Sequence, residues 1–304
     1  MGFAHVRSNH MRFATLLRDP KYKFYNLLCK VGLLRFLNLV SSVRIEGRKM
    51  RIPILGGHGF QNLPIAEKWA SDLYRKLMAA SPGAFLDVGA NNGQTLLKVK
   101  AIDATRDYLG FEPNPICYHY TRRLIAVNNY QNCTLFPVGM STENAILSLY
   151  HDAEFASGAS VLPGFRENMA RYSTVQKVVL MRGDQVLRES SLEAISVIKA
   201  DVEGAELEVV QGLSETIQKY RPAIVLEILP VYSLEKPNGQ YRHTRQQSLL
   251  GSLKAWNYQM FSIVETDASV IPLEEIEVHG DMGRTNYLFL PREKRSQFTA
   301  LFKT

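Results

Sequence analysis

Asp87-Val88-Gly89-Ala90-Asn91-Asn92-Gly93 is the stretch of sequence that decides the fold. It closes a short apolar run that begins at Phe85 and leads into a segment with helical periodicity. Its two glycines lack a Cβ atom, so the backbone can turn tightly there and approach a ligand closely. A helix that begins after such a turn can also hold an anionic group at its N-terminus. Because a strand-to-helix turn can need glycine for conformational reasons alone, this motif indicates a ligand site only together with its neighbours.

Short apolar runs alternate with helical segments on both sides of this motif, which is the pattern of a parallel sheet built from β-α-β units. We predict helices over residues 65–80, 94–104, 115–128 and 205–220. We predict five parallel strands and then a late pair, at residues 85–88, 108–111, 134–138, 196–200 and 223–228, and at 258–264 and 286–290. The expected fold is therefore α/β and Rossmann-like: a seven-stranded, mostly parallel sheet with helices on both faces.

The N-terminal part of the chain differs from the rest in charge. Residues 1–51 hold 11 Lys and Arg against two acids, a net charge of +9, whereas residues 52–304 hold 25 basic and 27 acidic residues, a net charge of −2. An amphipathic basic helix is predicted by an apolar stripe at helical spacing, Phe24, Leu27, Leu28, Val31 and Leu34. We expect this stripe to dock on the main domain, with peripheral contact to an anionic membrane as the alternative.

The domain prediction follows from this contrast. Residues 1–63 are expected to be a basic helical extension that ends in a glycine-rich loop over residues 51–63, and residues 64–304 the main domain. Three cysteines, Cys29, Cys117 and Cys133, show no metal-ligand spacing and cannot all pair within one chain, which favours a reducing, cytoplasmic location. Basic residues interrupt any apolar signal-peptide core near the start, and the apolar stretch 31–40 is too short to span a membrane.

An acid ends the second predicted strand. Glu112 follows Gly93 by 19 residues, a position from which a carboxylate can accept hydrogen bonds from both hydroxyls of an adenosine ribose. A pyrophosphate-binding loop would read G-x-G-x-x-G, whereas this loop reads G-x-x-x-G and begins with Asp87, which repels phosphate. The same carboxylate favours the ammonium and sulfonium charges of S-adenosylmethionine, directly or through water. The two acids therefore favour this methyl donor over NAD.

A third block places acids where open α/β sheets bind ligands, at the carboxyl end of a buried strand. It reads Ile198-Lys199-Ala200-Asp201-Val202-Glu203-Gly204-Ala205-Glu206. Asp201 and Glu203 lie two residues apart and can face one cleft, although either could instead cap the next helix. We expect Glu206 and Glu208 to be first-turn acids of that helix, and Lys199 to pair with an acid.

The order of these blocks resembles that of the FkbM-type methyltransferases. Further matching segments are Phe111-Glu112-Pro113-Asn114, Ser157-Gly158-Ala159-Ser160 and Arg221-Pro222-Ala223-Ile224-Val225-Leu226-Glu227. The resemblance implies a Rossmann-like fold, S-adenosylmethionine as methyl donor and, usually, O-methylation of sugar or natural-product hydroxyls. By position, it implies that Glu112 binds the ribose, that Asp201 lies near the transferred methyl group, and that the methionine side is lined by Asp87, Gly89, Asn91 and Gly93. One departure is Met181-Arg182-Gly183-Asp184, where the family commonly has Thr-Leu-Asp-Asp.

Transfer of a methyl group to a hydroxyl benefits from a base that takes the proton. We expect Asp201 to be that base, followed by Glu203 and His58, with Glu227 and His151 as weaker candidates. Asp201, Glu203 and Glu227 all lie near strand ends and could together hold Mg²⁺, but nothing in their spacing requires a metal, and we predict none.

The predicted acceptor is a hydroxyl of a sugar, glycolipid or related small molecule. Residues 140–180 and 231–285 are expected to shape its pocket, with aromatic candidates Tyr150, His151, Phe155, Phe165 and Tyr172. A nucleic-acid methyltransferase is a rival hypothesis, suggested by a pI of about 9.2. It is disfavoured because the positive charge is confined to the N-terminal segment and no Asn/Asp-Pro-Pro-aromatic segment is present. Two further hypotheses are a non-catalytic interaction module, because a fold does not guarantee an activity, and an NAD-dependent oxidoreductase.

Overall fold

The fold is given by a computed structural model, which describes residues 19–64, 67–151, 161–162, 174–190 and 192–302. The predicted Ser157–Ser160 loop and the aromatic candidates Phe155, Phe165 and Tyr172 lie outside these residues. In chain order the elements are α1 (Pro20–Lys30), β1 (Asn38–Ile45), β2 (Arg48–Leu55), α2 (Lys68–Ala80), β3 (Ala84–Val88), α3 (Gln94–Ile102), β4 (Tyr108–Phe111), α4 (Pro115–Asn128), β5 (Cys133–Phe136), β6 (Gly139–Ser141), β7 (Ala145–His151), β8 (Thr174–Arg182), α5 (Gly183–Arg188), β9 (Ile195–Ala200), α6 (Glu206–Gly212), α7 (Ser214–Tyr220), β10 (Ala223–Glu227), α8 (Pro237–Ala255), β11 (Tyr258–Val264), β12 (Ser269–Leu273) and β13 (Asn286–Pro291).

An eight-stranded sheet, in the order β12-β11-β13-β10-β9-β3-β4-β5, forms the centre of the fold. From β10 to β5 all neighbouring strands are parallel, and β13 runs antiparallel between β10 and β11. The seven predicted strands are all present, which confirms the mostly parallel α/β fold. The eighth strand, β12, lies in the predicted loop between β11 and β13. Its burial does not alternate, since Ser269 and Val270 are buried and Ile271 and Pro272 exposed, so the sequence carried no strand signal.

Alternate residues of the central strands enter two different apolar clusters, which places helices on both faces of the sheet. Phe85 of β3 packs with Leu73 of α2 and Leu96 of α3. Its neighbour Leu86 packs in a second cluster that contains Val209 of α6 and Leu249 of α8. Because β3 is buried along its whole length, every residue of the strand except Asp87 is apolar.

Residues 38–55 form a hairpin of β1 and β2, which corrects the prediction of a helical extension and of a loop from residue 51. Glu46 and Gly47 join the strands with φ of 51° and 76°, as a type I′ turn requires. Met50, Ile52 and Ile54 occupy every second position of β2 and are buried in the same cluster as α2. Basic residues and a following glycine-rich turn hid this alternation. The division at residues 63 and 64 stays a prediction.

The predicted amphipathic helix is confirmed as α1, but its packing differs from the expectation. Tyr22, Tyr25 and Leu28 lie against the core, and Leu34 is fully buried beyond the helix. The other three members of the predicted stripe, Phe24, Leu27 and Val31, are each more than half exposed. The expectation that the whole stripe docks on the main domain is therefore wrong for these three residues. No helix within the described ranges combines the length and hydropathy that a membrane crossing needs.

Candidate active site

The carboxyl ends of β4, β3, β9 and β10 lie side by side at one sheet edge, because these strands are adjacent and parallel. Asp87, near the end of β3, is fully buried there. Its Oδ1 lies 3.2 Å from Lys199 Nζ of β9, and its Oδ2 accepts a hydrogen bond from the Tyr108 hydroxyl. Enclosed in this way, Asp87 exposes no surface of its own to a ligand. Its predicted place in the donor-binding set stays a prediction.

Lys199 connects the two halves of this edge. Besides its ion pair with Asp87, its ammonium donates to the Gly89 carbonyl at 3.2 Å and lies 3.6 Å from Asp201 Oδ2. Burial opposes the charge on Lys199, but the attraction of Asp87 and Asp201 outweighs it and raises the pKa of the ammonium. The prediction that Lys199 pairs with an acid is confirmed.

The loop after β3 contains three residues with positive φ, two of which are glycines. Gly89 has φ of 83°, and a Cβ there would lie 2.1 Å from the Asp201 carbonyl oxygen, so only glycine lets the two strand-end loops approach. Asn91 also has positive φ, at 44°. Its carbonyl accepts from Thr121 Oγ1 at 2.6 Å. Gly93, with φ of 71°, begins α3. These contacts hold the loop in place at the strand ends. We call this loop, residues 89–93, the cradle.

Glu112 closes this cradle from the end of β4. Its two carboxylate oxygens accept hydrogen bonds from the backbone amides of Asn91 at 2.7 Å and Asn114 at 2.8 Å. Burial raises the pKa of the Glu112 carboxyl to about 7, although both amides act in the opposite direction. Each carboxylate oxygen has a second lone pair, so the group can still accept hydrogen bonds from ligand hydroxyls.

A second buried acceptor belongs to the same loop. The side-chain oxygen of Asn92 is buried and has no hydrogen-bond partner among the described residues. Its backbone carbonyl accepts from the Asn62 amide at 2.7 Å, which joins the segment after the hairpin to the cradle. Sequence reasoning did not find Asn62, because only the hairpin's position brings it to the loop.

Asp201 and Glu203 follow β9, where the sequence placed them. The backbone N of Asp201 donates to Val88 O at 3.1 Å, and its side chain is 39% exposed. Ala205 occupies the N-cap of α6 and no side chain caps that helix, so neither acid is its capping residue. Glu206 holds the turn instead, because its Oε1 accepts from the amides of Val202 and Gly204. This agrees with its predicted position in the first turn.

Glu227, at the end of β10, forms a carboxyl pair with Asp201. Burial and then the Asp201 charge raise the pKa of Glu227 to about 9, with a hydrogen bond to Asp201 and the charge of Glu203 acting in the same direction. Thr285 donates to Glu227 Oε1 at 3.1 Å. The raised pKa favours the protonated form of Glu227 at neutral pH. Sequence reasoning ranks Glu227 as a weaker candidate because its pairing depends on two strands that are distant in sequence.

Two other predicted positions lie elsewhere. His58 is half-buried in the turn after β2, where its backbone exchanges two hydrogen bonds with Leu55, and its role as a base stays a prediction. Asp184 is buried beside α7 and accepts from the backbone amides of Glu215 and Thr216, so it anchors that helix. In the part of the chain that is described, no group of three His, Cys, Asp or Glu side chains is arranged to hold a metal ion.

The sequence profile of the methyltransferase FkbM domain matches residues 87–285, which include every acid of this edge. The chain belongs to the FkbM methyltransferase family. It is 30% identical to methyltransferase sdnD of Sordaria araneosa over 155 residues, 43% of this chain and 60% of that protein. It is 24% identical to methyltransferase 1 of Beauveria bassiana over 47% of this chain and 63% of that protein. The match thus spans less than two thirds of either curated relative.

Among solved structures, this FkbM methyltransferase is similar to the methyltransferase FkbM from Methylobacillus flagellatus, with a TM-score of 0.41 and 15% identity over 68% of this chain and 43% of that one. S-adenosylmethionine is the methyl donor of this family, and the strand-end loops fit it. The Glu112 carboxylate suits ribose hydroxyls, because each of its oxygens accepts one amide and keeps a second lone pair. The unpartnered Asn92 oxygen suits the ammonium of the methionine part.

Proposed function

We propose that this methyltransferase transfers the methyl group to a hydroxyl oxygen of a sugar, glycolipid or related small molecule. The observation that carries the proposal is the carboxyl pair of Asp201 and Glu227 beside the donor cradle. A hydroxyl is a weak nucleophile until its proton is removed, and an exposed carboxylate next to the donor can accept that proton. A transfer to a more nucleophilic acceptor would have less need of such a pair.

The residues at this edge have different roles in the proposed reaction. When bound, S-adenosylmethionine supplies a methyl group carried on a positively charged sulfur. Glu112 and the loop around Asn91 hold and orient the donor, and Asp201 accepts the acceptor proton. The Lys199 ammonium lies 3.6 Å from Asp201 and attracts its carboxylate, which lies beside Glu227. Most of the acceleration is expected from alignment of the acceptor oxygen with the methyl group, because positioning alone supplies a large share of such a barrier.

The cleft between α6 and α8 supports a hydroxylated acceptor. It begins at Gly204, next to Glu203, and its lining is mixed. The polar side chains are Glu206, Arg242, Arg245 and Gln246, and the apolar ones are Leu207, Ile228, Leu229 and Leu249. Gln246 is 5% exposed, and neither its amide nitrogen nor its oxygen has a hydrogen-bond partner within the described residues. The amide nitrogen and oxygen of Gln246 can form hydrogen bonds with ligand hydroxyls, and the apolar side chains can pack against the carbon atoms of a sugar.

Methyl transfer from labelled S-adenosylmethionine to fractionated glycans, lipids and small metabolites tests the proposal. The expected product is a methyl ether, which survives mild alkali, whereas a methyl ester would release methanol. Label found only in RNA or in protein would refute the proposal. Asp201→Asn, with unchanged donor affinity in calorimetry, serves as the inactive control for each fraction.

A further inference from the structure

An exposed apolar surface lies at the N-terminal end of the described chain. Sixteen large apolar side chains are exposed among the described residues, and seven of them fall between residues 24 and 40. We call these seven the N-terminal patch: Phe24, Leu27, Val31, Leu33, Phe36, Leu37 and Val40. Phe36 is 73% exposed, the highest value of the sixteen. Isolated exposed apolar residues are normal on protein surfaces, but a concentration of this kind marks an interaction site.

The helical part of the patch points away from the protein. At about 100° per residue, Phe24, Leu27 and Val31 fall within roughly 60° of one another around α1. Tyr22 and Tyr25, which pack against the core, lie on the other side of the helix. The helix therefore has two apolar faces. One packs against the core, and the other faces solvent.

Positive charge surrounds the patch. Residues 19–45 contain five Lys and Arg and one acid, Asp19, whose carboxylate is engaged as the N-cap of α1. Lys23 and Lys30 lie next to the exposed stripe on the helix, at roughly 40–60° beyond Leu27. Arg35 stacks on the ring of Phe36 at 4.6 Å. An apolar face with basic neighbours is the pattern of helices that lie in the interface of anionic membranes.

We propose that the N-terminal patch docks on the surface of an anionic lipid bilayer, with α1 lying in the plane of the headgroups. The charge distribution favours lipid over a second copy of this chain, because a symmetric pairing would bring Lys23 and Lys30 of two copies together without acids to neutralise them. Residues 1–18 contain three arginines and no acid, so they add to the attraction for anionic headgroups. This inference does not depend on the identity of the methyl acceptor.

Co-sedimentation of the full chain with vesicles tests the proposal. Phosphatidylcholine vesicles that contain phosphatidylserine are expected to bind the protein, and vesicles of phosphatidylcholine alone much less. Lys23→Gln with Lys30→Gln is expected to weaken binding about twenty-fold, since one basic residue near an anionic surface contributes about five-fold in affinity. This part of the binding should fall as salt is added.

The apolar contribution is tested with Phe24→Ser, Leu27→Ser and Phe36→Ser combined. We expect a loss of about a hundred-fold or more, because three large side chains no longer leave water. Ile146→Ser with Ile271→Ser is the matched control, since both side chains are more than half exposed but lie far from the patch in sequence. Donor affinity in calorimetry should be unchanged in both variants, which shows that each is folded.

Three outcomes would overturn the proposal. The first is failure of the unmodified chain to bind phosphatidylserine vesicles, and the second is equal loss of binding in the patch and control variants. The third is a dimer in analytical ultracentrifugation that the triple serine change dissociates while vesicle binding is absent, which would assign the patch to a second copy. Absence of methyl transfer to every acceptor would refute the proposed function, but it would not change the outcome expected for vesicle binding.

Discussion

The two halves of the catalytic sheet edge treat their acids differently. On the β3 and β4 side, Asp87 and Glu112 are almost completely buried and are held by protein groups, the first by Lys199 and Tyr108 and the second by two loop amides. On the β9 and β10 side, Asp201 keeps 39% of its side chain exposed beside the protonated Glu227. The first half is enclosed by the fold, and the second leaves a carboxyl group in contact with solvent.

This difference has a physical cause. A buried carboxylate is costly unless it is paired or hydrogen-bonded, so the acids of the cradle are tied to the fold and cannot change their contacts freely. An exposed carboxylate carries no such constraint and can serve chemistry. Substitutions on the β3 and β4 side should therefore change stability and donor binding. Substitutions on the β9 and β10 side should change the rate of methyl transfer.

The largest effect is expected from Asp87→Asn, because it leaves the Lys199 ammonium buried without its closest counter-charge. Breaking a buried ion pair costs about 3–5 kcal/mol, and Asp201 at 3.6 Å compensates only in part. Urea unfolding measures the free-energy change. Adding Lys199→Met to this variant should recover most of the loss. A single substitution that costs less than about 1 kcal/mol would show that the cradle does not depend on this pair.

Asp201→Asn should instead leave stability nearly unchanged and slow methyl transfer about a hundred-fold or more, as expected when a general base is removed. Single-turnover kinetics with labelled donor measures the rate, and calorimetry checks that donor affinity stays within about three-fold. Glu203→Gln is the comparison variant and should have the smaller effect. If Glu203→Gln slows transfer more than Asp201→Asn, the assignment of the base is reversed.

Donor binding should depend on pH through Glu112. Its pKa is raised to about 7, so its carboxylate becomes protonated as the pH falls through 7 and can no longer accept both ribose hydroxyls. Affinity is expected to weaken by up to about ten-fold per pH unit below this point. Glu112→Gln should lower affinity at pH 8 by about 1–3 kcal/mol and abolish the pH dependence. Calorimetry at pH 6, 7 and 8 distinguishes this from a purely structural role.

Glu227→Gln tests the carboxyl pair, because its side chain imitates the protonated acid. The pKa of Glu227 is raised in the folded protein, so folding takes up a proton, and its contribution to stability falls as the pH rises from the ordinary value of 4.5 towards 9. The stability of the variant relative to the unmodified protein should therefore rise with pH across this range. Urea unfolding at pH 5 and pH 8.5 measures the stability difference between the variant and the unmodified protein, and an equal difference at both pH values would contradict the raised pKa of Glu227.

Several elements could be predicted from the sequence because their signals are local. The strand at β4 and the helix α4 have the expected bounds, since an apolar run and a Pro-initiated helical period define them. The predicted helix over residues 205–220 is two helices, α6 and α7, with Leu213 between them. The hairpin of β1 and β2 was missed because β1 shows no regular alternation, because basic residues interrupt β2, and because Glu46-Gly47 is a weaker turn signal than Asn-Gly.

By itself, the sequence determined the parallel sheet, the glycine turn after β3 and the acids that end β3, β4 and β9, because backbone conformation and strand burial depend on neighbouring residues. Only the tertiary structure decided which acid is enclosed and which is exposed, that Glu227 pairs with Asp201, and that three of the five residues of the N-terminal stripe face solvent. These properties depend on the distance between groups from separate strands and on the water that packing removes, and no local pattern encodes either.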